Sequence, residues 1–196
     1  MRYFFYAYLL IFIINFLSAQ ETQSQSRIDE IVVTAEFNDI DAYNISSSIS
    51  VITENDIFKR NANHLEDLLF ITPNVNYSSG ASRGKFYQIR GIGERSEFTE
   101  PVNYSVGVII DGIDFTGIAL GASTFDVKQV EVLRGPQGTL YGANALAGLI
   151  NIISNDPTED FYSEISGSIS EFGGKDFGVI ISNSNDNNFG YRLGFK

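Results

Sequence analysis

The sequence predicts a small α+β domain that follows an export segment and precedes a series of antiparallel strands. Three observations support this prediction: an almost unbroken apolar run near the start, short helix and strand patterns mixed over residues 39–153, and apolar–polar alternation after residue 160. The chain has 196 residues, of which 43% are hydrophobic. That length suits one domain of ordinary size and an additional segment.

Residues 1–19 have the pattern of a secretory signal peptide. Arg2 supplies the positive charge, residues 3–17 are apolar or aromatic with one exception, and the small residues Ser18 and Ala19 precede a polar stretch. The alternative is a membrane anchor, but the apolar run is shorter than the roughly 20 residues that a spanning helix needs. We therefore expect cleavage near Ala19.

Composition and charge argue against several classes of function. The formal net charge is -11, whereas nucleic-acid binding needs a basic patch. The chain has no cysteine, and His64 is its one histidine, so a transition-metal site is not predicted. Asp111 and Asp114 resemble a cation loop, but a β-turn at Gly112 explains the same residues better. No nucleophile–base pattern stands out, and we predict neither a cofactor nor catalysis.

A polar leader, residues 20–38, contains an abrupt apolar segment. Its first part, residues 20–26, is rich in Gln and Ser and predicts flexible, extended chain. Ile31, Val32 and Val33 are β-branched and favour a strand. Such a strand either packs against its own domain or adds to the sheet edge of another protein.

Residues 39–155 are predicted to form the α+β domain. One helix should begin after Thr53, with Asp56 completing an acidic capping box. A second helix is expected over residues 64–70, capped by Asn63. Strands are predicted at residues 49–52, 75–77, 86–90, 106–110, 129–133 and 149–153.

Residues 156–196 change to alternation with a period of two. A turn is predicted at Gly173 and Gly174, and a polar loop at residues 183–188. Periodicity alone fits transmembrane β-barrel strands and an ordinary meander with one buried face equally well. The apolar positions are Phe161, Ile165, Ile169, Phe177, Val179, Ile181, Phe189, Tyr191, Leu193 and Phe195.

Four stretches of the chain carry a resemblance to a known family. They are IDEIVVTA at residues 28–35, HLEDLLFITPNVNY at 64–77, FYQIRGIG at 86–93 and FDVKQVEVLRGPQGTLYGANALAGLINIIS at 125–154. In this order they resemble the TonB box, the helix-then-proline segment, the IRG element and the closing motif of TonB-dependent outer-membrane receptors. The resemblance implies a plug domain at 39–155, and favours residues 156–196 as the first strands of a barrel of about 22 strands.

The resemblance also implies specific roles for residues. Arg90 and Arg134 would lock the plug by pairing with glutamates on the inner barrel wall, the alternative being surface arginines after strands. The residues that would bind the periplasmic domain of TonB are Asp29, Glu30, Ile31, Val32, Val33, Thr34 and Ala35. The residues that would set a tight plug backbone are Gly91, Gly93, Gly135, Pro136, Gly138, Tyr141 and Gly142.

The function implied by the resemblance is non-enzymatic import across the outer membrane. The expected partners are TonB, outer-membrane lipid and a small-molecule or metal-chelate ligand, such as a ferric siderophore. Two alternatives remain: a soluble periplasmic binding module, and a signalling receptor. A signalling receptor would normally carry a small folded domain before residues 28–35, and a soluble module leaves the alternation after Phe161 unexplained.

Overall fold

The computed structural model describes residues 32–33, 40–41, 48–79, 83–96, 103–118, 122–138, 142, 144–171, 173–185 and 189–196. All of them belong to one compact unit, residues 31–196. The predicted signal peptide and the start of the leader lie outside the described residues. Within the described part, no helix has the length and apolarity to cross a membrane.

The described residues form short strands with two helices near the start. In chain order the elements are β1 Val32–Val33, β2 Ile40–Asp41, β3 Ser48–Thr53, α1 Glu54–Arg60, α2 Leu65–Leu69, β4 Val75–Ser79, β5 Gly84–Ile89, β6 Ile92–Gly93, β7 Val106–Ile110, β8 Ile113–Asp114, β9 Val127–Arg134, β10 Gly148–Ser154, β11 Tyr162–Ile169, β12 Lys175–Asn185 and β13 Phe189–Phe195. Each strand predicted from the sequence is present, and the mixed α+β prediction is confirmed.

A five-stranded mixed sheet is the centre of the domain, with strand order β3-β9-β10-β7-β8. β10 runs parallel to β7 and antiparallel to β9. Because side chains alternate across a strand, β9 sends Val130 and Val132 to the main core, and Leu133 to a smaller cluster on the other face. A separate antiparallel meander contains β4, β5 and β6.

Local capping explains how the first helix begins. The hydroxyl of Thr53 accepts a hydrogen bond from the backbone N–H of Asp56 at 3.4 Å, and the Asp56 carboxylate accepts one from the backbone N–H of Thr53 at 3.1 Å. This confirms the predicted capping box. The predicted cap of the second helix was wrong: His64, not Asn63, is the N-cap residue of α2. Asp67 accepts hydrogen bonds from the backbone N–H groups of both residues. The helix begins at Leu65, one residue later than predicted.

The last three strands form an antiparallel meander with two different faces. On the outer face Ile165 is 75% exposed and Phe195 71% exposed, whereas Ser182 on the inner face is fully buried. The register places Ile165 opposite Val179, and Val179 opposite Phe195, so apolar side chains of all three strands adjoin on one face. The predicted alternation and the turn at Gly173 are confirmed. The predicted loop at 183–188 began too early, since β12 continues through Asn185.

Candidate functional site: the leader strand and the plug arginines

The apolar segment of the leader lies against its own domain. β1 pairs antiparallel with β2, with Val33 opposite Ile40. Val33 is fully buried and belongs to the smaller cluster, together with Ile109, Leu133 and Leu149 of the central sheet. Internal packing was one of the two alternatives for this strand. Of the other predicted box residues, Asp29, Glu30, Ile31, Thr34 and Ala35 lie outside the described residues.

A polar network occupies the same face of the sheet as the Val33 cluster. Glu131 is fully buried, and its carboxylate accepts hydrogen bonds from the side-chain amides of Gln129 at 2.7 Å and Asn151 at 3.1 Å. A buried carboxylate is costly without such donors. Glu131 and Leu133 lie two positions apart on β9 and therefore share one face of the sheet. The leader thus covers a face that is partly polar.

Arg134 ends β9 and is largely buried. Its Nε donates to the backbone carbonyl of Pro73 at 3.2 Å, and a terminal nitrogen donates to the hydroxyl of Ser50 at 2.8 Å. Its side chain makes no ion pair with a carboxylate of the described residues. Burial, and then the neighbouring positive charge of Arg90, lower the pKa of the Arg134 guanidinium. A carboxylate beside Arg134 would favour its charged form and so oppose this shift.

Arg90 lies in a tight turn and not at the end of a strand as predicted. Arg90 and Gly91 both have positive φ, 54° and 81°, which are the values of a two-residue type I′ hairpin. The turn joins β5 to β6, and the backbone N–H of Arg90 donates to the carbonyl of Asn74 at 2.8 Å. The backbone is thus held while the exposed guanidinium projects from the domain.

Two glycines of the glycine- and proline-rich segment after β9 have positive φ. Gly135 has a φ of 115° and donates from its N–H to the carbonyl of Ala147 at 3.0 Å. Gly142, with a φ of 78°, donates to the carbonyl of Gly138 at 3.1 Å. Positive φ favours glycine at both positions. Tyr141 lies outside the described residues.

Arg90 lies near enough to Arg134 for the two positive charges to repel each other. The leader strand lies elsewhere, on the smaller cluster of the central sheet. Sequence reasoning missed the network of Gln129, Glu131 and Asn151. The available signal was polar residues recurring at alternate positions of otherwise apolar strands. Among the described residues, no group of three or more His, Asp or Glu side chains is arranged to hold a metal ion.

Comparison with known proteins identifies the domain. The family model described as TonB-dependent Receptor Plug Domain matches residues 41–149. The chain is 32% identical to the vitamin B12 transporter BtuB of Vibrio vulnificus over 146 residues, which cover 71% of this chain and 22% of that protein. It is 30% identical to the pesticin receptor of Yersinia pestis over 156 residues, which cover 78% and 22% respectively. The chain thus spans about a fifth of the length of these relatives.

Solved structures agree with this comparison. The ferric yersiniabactin uptake receptor FyuA from Yersinia pestis aligns with a TM-score of 0.62 and 27% identity, over 72% of this chain and 22% of that one. The closed form of the ferric-catecholate import receptor Fiu from E. coli aligns with a TM-score of 0.64 and 28% identity, over 79% and 21%. The family match, the mixed sheet and the motif order lead to one conclusion: the chain belongs to the TonB-dependent receptors and carries their plug domain.

Proposed function

We propose that this chain is the leader, the plug and the first barrel strands of an outer-membrane receptor that imports a bulky ligand with energy delivered by TonB. The single observation that carries the proposal is the family match over residues 41–149. The exposed apolar face of β11–β13 supports it, because a lipid-facing sheet has this pattern. The same face argues against a soluble periplasmic module, since water would contact side chains such as Ile169, which is 83% exposed.

The proposed coupling step is transfer of the leader strand from the plug to TonB. In the resting receptor Val33 packs on the small cluster, and this packing competes with the partner. After release, residues 28–35 add as a strand to the sheet edge of the periplasmic domain of TonB, through backbone hydrogen bonds and side-chain pockets. Pulling on that strand then acts through the covalent chain on β3, the first strand of the central sheet after the leader.

The two plug arginines are proposed to hold the domain in place during this pull. Arg134 is largely buried without a carboxylate from the described residues, and Arg90 is close enough to repel it. Glutamates on the inner wall of the barrel would satisfy both guanidinium groups with charge-assisted hydrogen bonds. Each such bond contributes about 1.5–3 kcal/mol, enough to seat the plug firmly while remaining reversible.

The ligand class follows from the relatives and is part of the proposal. The matched proteins are, by their names, receptors or transporters for vitamin B12, pesticin, ferric yersiniabactin and ferric catecholates. A ferric siderophore is our first candidate for this receptor.

The test is Val32→Pro in the complete receptor, assayed for both binding and uptake. Proline removes a backbone donor and disrupts strand addition. We expect energy-dependent uptake to be lost while ligand binding at the cell surface is unchanged. Ferric yersiniabactin, a ferric catecholate and vitamin B12 serve as the three probe ligands.

Val32→Ala is the matched control, because it shortens the same side chain but keeps the backbone N–H. This variant should retain most of the uptake. Normal uptake by Val32→Pro would exclude strand addition at this segment. Equal loss of uptake and surface binding in Val32→Pro would point to a damaged plug and would also count against the proposed coupling step.

A further inference from the structure

We propose that Phe125 and Asp126 form a docking corner that fixes the plug to the inner face of β12 and β13. The inference deepens the proposed function and rests on it, because it takes β11–β13 as part of the barrel wall. The charges of this contact are the reverse of those expected at Arg90 and Arg134: here the plug supplies the carboxylate and the wall supplies the arginine.

The electrostatic part of the corner is a two-point ion pair. Nε of Arg192 donates to the two carboxylate oxygens of Asp126 at 2.8 and 3.0 Å, and a terminal nitrogen donates to Oδ1 at 2.5 Å. The two side chains are only 12% and 15% exposed. The ring of Tyr162, on β11, lies 5.6 Å from the guanidinium carbon. A planar guanidinium with fork geometry and a stacked ring has one preferred orientation, so the pair fixes position as well as distance.

The steric part is a notch formed by two glycines of the wall. A Cβ at Gly194 would have the ring of Phe125 as its nearest neighbour, at 2.9 Å, and a Cβ at Gly178 would lie 2.9 Å from the same ring and 2.6 Å from the hydroxyl oxygen of Ser166. The ring of Phe125 therefore occupies the space that side chains at these two positions would need. The ammonium group of Lys196 lies 5.9 Å from the centre of the same ring. Shape and charge thus specify the same point of contact.

On the plug side the corner is held rigidly. Asp126 has a φ of 60°, a conformation that Asp and Asn tolerate better than other non-glycine residues. Its backbone carbonyl and its carboxylate accept hydrogen bonds from the backbone and side-chain N–H groups of Asn155, both at 3.2 Å. The backbone N–H of Thr124 donates to the carbonyl of Asn63 at 3.3 Å. The corner is thereby tied to the α1–α2 connection and to the end of β10.

A smaller contact between plug and wall lies near the corner, where Nζ of Lys196 donates to Oδ1 of Asn63. Beside the corner, a cavity of about 280 Å³ separates the two, with Ile57 and Asn61 on the plug side and Ser166 and Asp176 on the wall side. Next to this cavity, the ion pair and the seated ring of Phe125 resist movement of the plug away from the wall. The docking corner therefore keeps the plug seated, and its loss should open a leak.

The test measures leak through the complete receptor in cells that lack TonB, with vancomycin as the large probe. Asp126→Asn and Arg192→Gln should each lower the vancomycin concentration that stops growth by about fourfold, and the double variant should add little because the two residues act as one pair. Gly194→Ala should leak as well, because its added methyl meets the ring of Phe125 first. Two matched variants and the wild-type receptor should not leak. Lys128→Gln breaks the exposed ion pair with Asp156 at 3.3 Å, which lies within the plug. Gly167→Ala adds a methyl group to the wall whose nearest neighbour is the carbonyl oxygen of Asp176 at 3.7 Å.

Each outcome either supports or overturns the inference. Receptor amount and barrel folding are checked by heat-dependent gel mobility, so that leak is compared only among folded receptors. Additive leak in the double variant, or leak from Gly167→Ala equal to that from Gly194→Ala, overturns the docking corner, as does a folded Asp126→Asn receptor that stays closed. Since the assay needs no TonB, failure of TonB-driven uptake would overturn the proposed function while leaving this result readable.

Discussion

The packing of the leader on the plug makes a quantitative prediction that can be tested from the plug side alone. Ile109→Val removes one buried methyl group from the cluster that holds Val33, without altering the leader itself. Ile109 is 5% exposed, so the loss should be about 1 kcal/mol. Because Ile109 also packs with Leu133 and Leu149, that energy sets an upper limit of about fivefold on the shift in the ratio of released to docked leader.

A spin label on the leader reports this ratio directly. The chain has no cysteine, so Ser26→Cys provides a single labelling position within it. Ile150→Val is the matched control: Ile150 is fully buried, lies next to Asn151 on β10, and belongs to the main core on the opposite face of the sheet. We expect a larger mobile fraction with Ile109→Val and no change with Ile150→Val. Equal effects from the two variants, or none from Ile109→Val, would refute the idea that this cluster controls docking.

Three further predictions concern capping, ionisation and the last strands. Thr53→Ala removes the capping hydroxyl of α1, which costs about 1 kcal/mol. Amide hydrogen exchange in α1 should therefore become about fivefold faster. Asn55→Ala, a change at an exposed position of the same helix, should leave the exchange rate unchanged. Burial, and then the negative charge of Glu66, raise the pKa of Tyr87 to about 12. The free energy of unfolding should therefore be constant below the usual tyrosine pKa of about 10 and should fall as the pH rises from there towards 12. The difference in phenolate absorbance between wild type and Tyr87→Phe measures this ionisation. Expressed in the periplasm, a fragment of residues 20–196 should aggregate more than one of residues 20–155, because the apolar face of β11–β13 is exposed; monodisperse 20–196 with a cooperative melting transition would contradict the lipid-facing assignment.

Features determined by neighbouring residues could be predicted from the sequence. The capping box of Thr53 and Asp56 needs only three residues of separation, and the turn at Asp111 and Gly112 is present with φ values of 49° and 80°. The alternation after residue 160 specified the two faces of the last meander for the same reason. Arg90 was predicted to end a strand, because a positive φ is uncommon for a non-glycine residue and was not expected there. Its φ is in fact 54°, in a turn.

Features that depend on distant residues could not be predicted. Arg192 lies 66 residues from Asp126, and nothing local marks the two as partners. Likewise, the apolar pattern around Val33 fits either its own sheet or a partner's sheet, and only the packed structure shows that it is buried. The role of Arg90 and Arg134 as plug locks stays a prediction, because it concerns carboxylates beyond the described residues.

The central claim, that the leader is where TonB engages this receptor, is tested most directly by a binding titration. The periplasmic domain of TonB is titrated against the complete receptor and against a variant that lacks residues 20–38, with a peptide of residues 28–35 as competitor. We predict that binding needs the leader, that the peptide competes for it, and that ligand occupancy does not replace it. Equal affinity for the receptor without its leader would contradict the account.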